Sequence, residues 1–197
     1  MSAALRIPRS LLALLLVAGV LGGCTISPGR TSEVSCPVEE RELLLLAAQA
    51  VPSATLLPCV TAFPAGWGYG GSDVRSGIAR FWLESDRAGF HAVEVSLTAS
   101  CRTIGAIDMT NSTQEVGVQE LVRVYDLHPF TADRYFLFTG GCVTYRYRFD
   151  ADAAATLALE VDQAVTFGLR SSLVERVDDE FGLTLCGASA PPCLPGE

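Results

Sequence analysis

The chain is 197 residues long and carries 14 basic residues against 22 acidic ones, a net charge of −8, and every basic residue is arginine. An acidic chain with no basic run excludes binding to nucleic acid through phosphate contacts, and it excludes electrostatic docking on anionic lipid. Seven cysteines beside two histidines favour disulfides over a metal centre, since no C-x-x-C occurs and His91 and His128 are the only imidazoles.

In chain order, the first ten residues hold Arg6 and Arg9 and no acid, and residues 11–21 form an unbroken apolar run. The run is too short to span a bilayer core of about 30 Å as a stable helix, and with its charged start it reads as a signal peptide. It ends Leu21-Gly22-Gly23-Cys24. That ending, an aliphatic residue, two small ones and a cysteine, resembles the lipobox of bacterial lipoproteins. The resemblance covers the first 24 residues. It implies removal of residues 1–23, diacylglycerol on Cys24 (with palmitate-type acyl chains) and a place on the extracytoplasmic face of the cell membrane. Two acyl chains anchor stably where one is marginal. Residues 24–35 are polar with Pro and Gly and read as a flexible tether, and residues 36–197 read as a single domain. The mature chain then keeps 12 arginines against 22 acids.

With Cys24 set aside, Cys36, Cys59, Cys101, Cys142, Cys186 and Cys193 form an even set, read as disulfides of an oxidising compartment. Sequence does not choose among the pairings. Proximity favours Cys36–Cys59, Cys101–Cys142 and Cys186–Cys193.

Cys36-Pro37 opens a helix with Glu39, Glu40 and Glu42 near its positive end, and Val51-Pro52 ends it. Residues 54–63 hold a short strand with Cys59. Residues 63–73 (FPAGWGYGGSD) read as a Gly-rich loop displaying Trp67 and Tyr69. From Ser76 the period becomes two. Ala79, Phe81 and Leu83 alternate with Arg80, Trp82 and Glu84. After the turn SDRAG, His91, Val93, Val95, Leu97 and Ala99 alternate with Glu94, Ser96 and Thr98. This predicts a hairpin with one buried face, with Cys101 in phase with the buried set.

Residues 105–117 are polar, and 119–127 read as a strand that alternates imperfectly. RYFLFT-GG-CVTYRYRF then predicts a hairpin turning at Gly140-Gly141, which places Phe138 opposite Val143 and Phe136 opposite Tyr145. That face, with Tyr147 and Phe149, is expected in the core. Tyr135, Leu137, Thr144, Arg146 and Arg148 are expected on a mostly exposed face. Asp150 is the expected N-cap of a helix carrying Leu157, Val161, Val165, Leu169, Leu173, Val177 and Phe181 four apart. Such a ladder drifts about 40° per step, so a break is expected near 168–171, with Ser172-x-x-Glu175 as a capping box. A helix, roughly four to six mostly antiparallel strands and a helix pair make an α+β two-layer domain.

The mature chain also resembles uncharacterised envelope proteins of actinobacteria in VPSATLLPC (51–59), FWLESDRAGFHAVEV (81–95) and GGCVTYRYRF (140–149). Those families imply a compact envelope domain and no activity.

No G-x-S-x-G is present. His91 reads as a half-buried structural histidine and His128, before Pro129, as a solvated turn residue. Asp126 with His128 are too few ligands for a metal site, and Asp178-Asp179-Glu180 reads as a solvated helix end. No cofactor or catalytic residue is assigned. Two features serve binding. Trp67 and Tyr69 either grip a ligand from the loop or fold back as a lid on the core. Arg80, Trp82, Tyr135, Arg146 and Arg148 form either an ordinary solvated face or a partner surface, since Tyr, Trp and Arg are the hot-spot residue types. The reading that follows is a non-enzymatic envelope lipoprotein binding a protein or wall component. The rival is a carrier or hydrolase acting on lipid or cell-wall glycan.

Overall fold

The structure, a computed structural model, describes residues 41–109, 117–150 and 153–185, and only the backbone of 41 and 42. The lipobox, the tether, the expected helix start at Cys36, residues 110–116, and Cys186 with Cys193 lie outside the described residues.

Helix α1 (Arg41–Ala50) stops before Pro52, as the restricted backbone ahead of proline requires. Strand β1 (Leu56–Val60) is buried throughout and contains Cys59. Then come β2 (Trp67–Arg75), β3 (Ile78–Ser85), β4 (Gly89–Thr98), β5 (Ile107–Asp108), β6 (Gln119–Leu127), β7 (Phe130–Phe138) and β8 (Gly141–Phe149). These seven form one antiparallel sheet in the order β2-β3-β4-β8-β7-β6-β5. Helix α2 (Ala154–Ala164), strand β9 (Val165–Leu169) and helix α3 (Arg170–Phe181) end the described chain, and β9 pairs antiparallel with β1. The fold is α+β, with an N-terminal helix and a C-terminal helix pair. No described helix is long and apolar enough to cross a membrane.

Alternation decides which face is covered. Phe81, Leu83, Val93, Val95, Leu97, Val143, Tyr145, Tyr147 and Phe149 are all buried, in one cluster with Leu44 and Ala48 of α1, Leu157 and Val161 of α2, and Leu173 and Val177 of α3. Rings fill the space between sheet and helices. Phe167 of β9 meets Phe136 at 5.2 Å and Tyr145 at 6.5 Å between centroids, and Phe130 stacks on Phe149 at 5.8 Å. Each buried side chain of this size stabilises the fold by roughly 1.5–3 kcal/mol, so the covered face holds the helices in place.

Nine strands among the described residues exceed the expected number, because β1, β9, β2 and the two-residue β5 give weak periodic signals. The Gly-rich segment is loop only over residues 63–66. From Trp67 on it is β2, with a register shift between Tyr69 and Gly71 where Gly71 adopts φ +122°. The expected break in the last helix is a strand, since Val165-Thr166-Phe167 is β-branched and aromatic. Asp150 is not the N-cap of α2, which starts after Ala153. Ser172 lies inside the first turn of α3, whose N-cap is Leu169, so no capping box forms.

The β7–β8 turn falls at Thr139-Gly140 instead of Gly140-Gly141, so Phe138 faces Gly141 and Phe136 faces Val143. The register therefore differs by two residues from the expected one, and a slip of two leaves every side chain on its face. Contacts with the 53–55 segment fix the turn. Ser53 Oγ donates to Gly140 O at 2.6 Å, and Thr55 Oγ1 to Thr139 O at 2.8 Å. Gly140 has φ +73°, and a Cβ there would lie 1.9 Å from the Ser53 carbonyl oxygen. Gly140→Ala should therefore cost about 2 kcal/mol or more, from left-handed strain plus displacement of that segment. Urea unfolding checks it, and a loss under about 0.5 kcal/mol would show that the segment yields freely.

Cys101 and Cys142 form the disulfide that proximity favoured, tying the chain just after β4 to the start of β8. Cys101 is not in the core-face phase, because β4 ends at Thr98, and its sulfur lies 3.1 Å from Thr144 Oγ1 on the opposite face. Cys59 is also disulfide-bonded.

Candidate functional site

Opposite the helices, cross-strand pairs of unlike charge run across the sheet. On β2, Asp73 accepts from Arg75 Nη2 at 2.5 Å and from Arg80 Nη2 of β3 at 2.7 Å. Arg75 and then Arg80 hold its carboxyl down, to about 2. The Arg80 guanidinium lies 5.4 Å from the ring centre of Trp82, whose Nε1 donates to Glu94 Oε2 of β4 at 3.1 Å. Glu94 Oε1 is 3.6 Å from Arg146 Nη1 on β8, and Arg146 Nε donates to Asp133 Oδ1 on β7 at 3.1 Å. Asp133 also accepts from the hydroxyls of Tyr125 at 2.6 Å and Tyr135 at 3.0 Å, and lies 3.5 Å from Arg123 Nη2.

Asp133 is the pivot of this ladder, with a side chain only 3% exposed. Burial pushes its carboxyl up, but the Tyr125 hydroxyl, Arg146 and Tyr135 outweigh that and hold the group below the ordinary aspartate value. Burial, then the Tyr125 and Asp133 neighbours, push the Tyr135 hydroxyl up, so it stays a neutral donor.

Arg80, Trp82, Tyr135, Arg146 and Arg148 do share this face, but not as a uniformly exposed one. Tyr135 and Thr144 are buried, Arg80, Trp82, Leu137 and Arg146 are half-buried, and Arg148 is exposed. Trp67 and Tyr69 do not join them. Trp67 is buried at the covered side and its Nε1 donates to Glu160 Oε2 of α2 at 2.7 Å, so it is the lid on the core and not a displayed ring. Tyr69 is exposed but registers with Leu83 of the covered face.

His91 is half-buried as expected, but on the other face. Its φ of +48° turns the ring out of phase with Val93, onto Trp82 at 5.1 Å and Phe90 at 3.7 Å between centroids. His128 is exposed in the β6–β7 turn, where Asp126 Oδ1 accepts from its backbone N–H at 3.0 Å. Among the described residues no group of three His, Cys, Asp or Glu is placed to hold a metal. Asp178, Asp179 and Glu180 are exposed at the end of α3.

At one end of the face, Tyr125, Thr131, Ala132, Asp133, Arg146, Tyr147 and Arg148 line a cleft of about 360 Å³. A register shift between Val124 and Asp126 leaves Tyr125 without a partner on β7. Such bulges re-aim side chains beside sites, and here the Tyr125 hydroxyl reaches Asp133. Sequence reasoning missed Asp73, Glu94, Arg123, Tyr125 and Asp133 as parts of the site. Asp133 stands two residues before Tyr135, and that spacing was the available signal.

A second polar cluster sits on the covered face. Arg134 Nε donates to Glu120 Oε1 at 2.5 Å, and Arg134 Nη1 to Asp162 of α2, pinning that helix to β6 and β7. Fold and site together define an antiparallel α+β domain with one helix-covered face and one open, charge-laddered face. No family model, curated protein or solved structure matches the chain.

Proposed function

We propose that this protein is a lipid-anchored envelope protein that binds a partner through the open face of its sheet. The observation that carries the reading is the ladder itself. Five arginines (Arg75, Arg80, Arg123, Arg146 and Arg148) share the face with carboxylates of the same strands (Asp73, Glu84, Glu94, Asp126 and Asp133), with Trp82 and two tyrosines among them. Unlike charges therefore alternate in fixed places across an open face on a chain of net charge −8. Cross-strand pairing holds these side chains in fixed positions, which lowers the entropy lost when a partner docks. Fixed charges of both signs favour a partner surface of complementary pattern, and electrostatic complementarity of this kind sets orientation and on-rate. The lipobox at Cys24 and the tether after it supply the anchor.

A photo-crosslinking residue at position 80 of the full chain in its membrane should give a discrete adduct that the same residue at Asp179 of α3 does not. Identical adduct patterns from both positions would remove the face from consideration. Cys24→Ala should move the chain to the soluble fraction and abolish palmitate labelling, and unchanged labelling would refute the anchor.

A further inference from the structure

The face is not uniformly available. Arg75 and Arg80 are bonded to Asp73, and Arg123 donates to Ile104 O at 2.7 Å and to Tyr135. Of the cations on the face, Arg146 and Arg148 are the two that line the cleft, and both keep donors unused. Arg148 is exposed and forms no hydrogen bond or ion pair among the described residues. Arg146 uses Nε for Asp133, while its Nη groups make no hydrogen bond and only Nη1 approaches Glu94, at 3.6 Å. The Tyr125 ring, 54% exposed, and the Thr131 side chain form the remaining polar wall.

We propose that this cleft binds a carboxylate group, held between the Arg146 Nη groups and Arg148, with the body of the ligand laid on Tyr125. The planar guanidinium fork matches a carboxylate, and such charge-assisted pairs are the strong ones. Charge chooses among oxyanions. Arg146 and Arg148 against Asp133 give the cleft a net charge of one positive. A monoanion neutralises it. A phosphate monoester, at about −1.5 to −2, brings surplus negative charge beside the buried Asp133. A volume of about 360 Å³ admits a small acid or the end of a peptide, near the lower bound of ordinary ligand sites. The proposal rests on the reading of the open face as a binding surface and names the chemistry of one corner of it.

The test is arginine side-chain NMR of the full chain in detergent, titrated with benzoate, benzamide, N-acetyl-trialanine, its C-terminal amide and inorganic phosphate. Benzoate or the free-acid peptide should shift the Arg146 and Arg148 signals saturably, while benzamide and the peptide amide bind roughly tenfold more weakly or worse. Benzoate binding alone assigns a small acid, and the peptide acid binding more tightly assigns a chain terminus. Arg148→Ala should lose roughly tenfold in affinity with an unchanged melting temperature, while Arg176→Ala on α3 changes neither. Equal binding of acids and amides, no saturable shift with either acid, or phosphate binding more tightly than carboxylate would each overturn the proposal. Crosslinks at position 80 that persist beside a negative titration would sink the carboxylate site alone and leave the partner face standing.

Discussion

Asp133→Ala is expected to lower stability by about 2–3 kcal/mol, because it leaves the buried Tyr135 hydroxyl and two half-buried guanidinium groups without their acceptor. Arg146, Arg123 and two tyrosine hydroxyls converge on this carboxylate, whose side chain is 3% exposed. Without it, Tyr135 keeps a buried hydroxyl with no acceptor, and the two guanidinium groups repel across the strand. Asp133→Asn retains the shape and one acceptor oxygen and should fall between wild type and Asp133→Ala. Urea unfolding at neutral pH checks the order, and a loss under about 1 kcal/mol for Asp133→Ala would show that water replaces the carboxylate readily. The pH dependence has a definite sign. The folded carboxyl lies below its ordinary value, so the unfolded chain takes up the proton first as the solution is acidified. The stabilisation is full above the ordinary aspartate range near 4 and is lost as pH falls through the folded value. The stability gap between wild type and Asp133→Asn should therefore shrink from about pH 5 downward, and a gap that widened in acid would contradict the depressed carboxyl.

The same residues show what the sequence could and could not carry. Period-two alternation sorted Val143, Tyr145, Tyr147 and Phe149 to the core, and it survived a turn misplaced by one residue because the resulting slip was even. It failed at His91, where a left-handed backbone breaks the phase, and at Trp67, where glycines masked a strand. Arg134 shares the phase of Phe136, so alternation puts a charge into the core. Its partners, Glu120 and Asp162, come from β6 and α2, and no local pattern announces them. The open face depends on β4 lying beside β8, which brings Glu94 to Arg146. Those strands are far apart in the chain, so sequence named Arg80, Arg146 and Arg148 and missed the acids that hold the first two. What that left unassigned, Arg148 and the Nη groups of Arg146, only the pairing of strands could show.

Replacing both Cys101 and Cys142 by serine is expected to cost roughly 4 kcal/mol, from the loop-closure entropy of a bridge between residues 41 apart. The bridge sits where the cost has the widest consequence. The chain leaves β4 after Thr98, crosses to the far edge of the sheet at β5, and returns through β6 and β7 to lay β8 against β4. Thr98 registers with Cys142, so the disulfide clasps one end of the seam between β2–β4 and β5–β8. The Glu94–Arg146 contact crosses the same seam further along. In the unfolded chain the bridge keeps the two strands near each other, so the long return connection closes at lower entropic cost. Guanidinium unfolding of the double variant, and of wild type with and without reductant, measures the effect. Reduction should cost at least as much as substitution if the bridge acts through the unfolded chain. A far larger loss on reduction would assign the difference to the bridge at Cys59, which reductant also opens and the double substitution leaves intact.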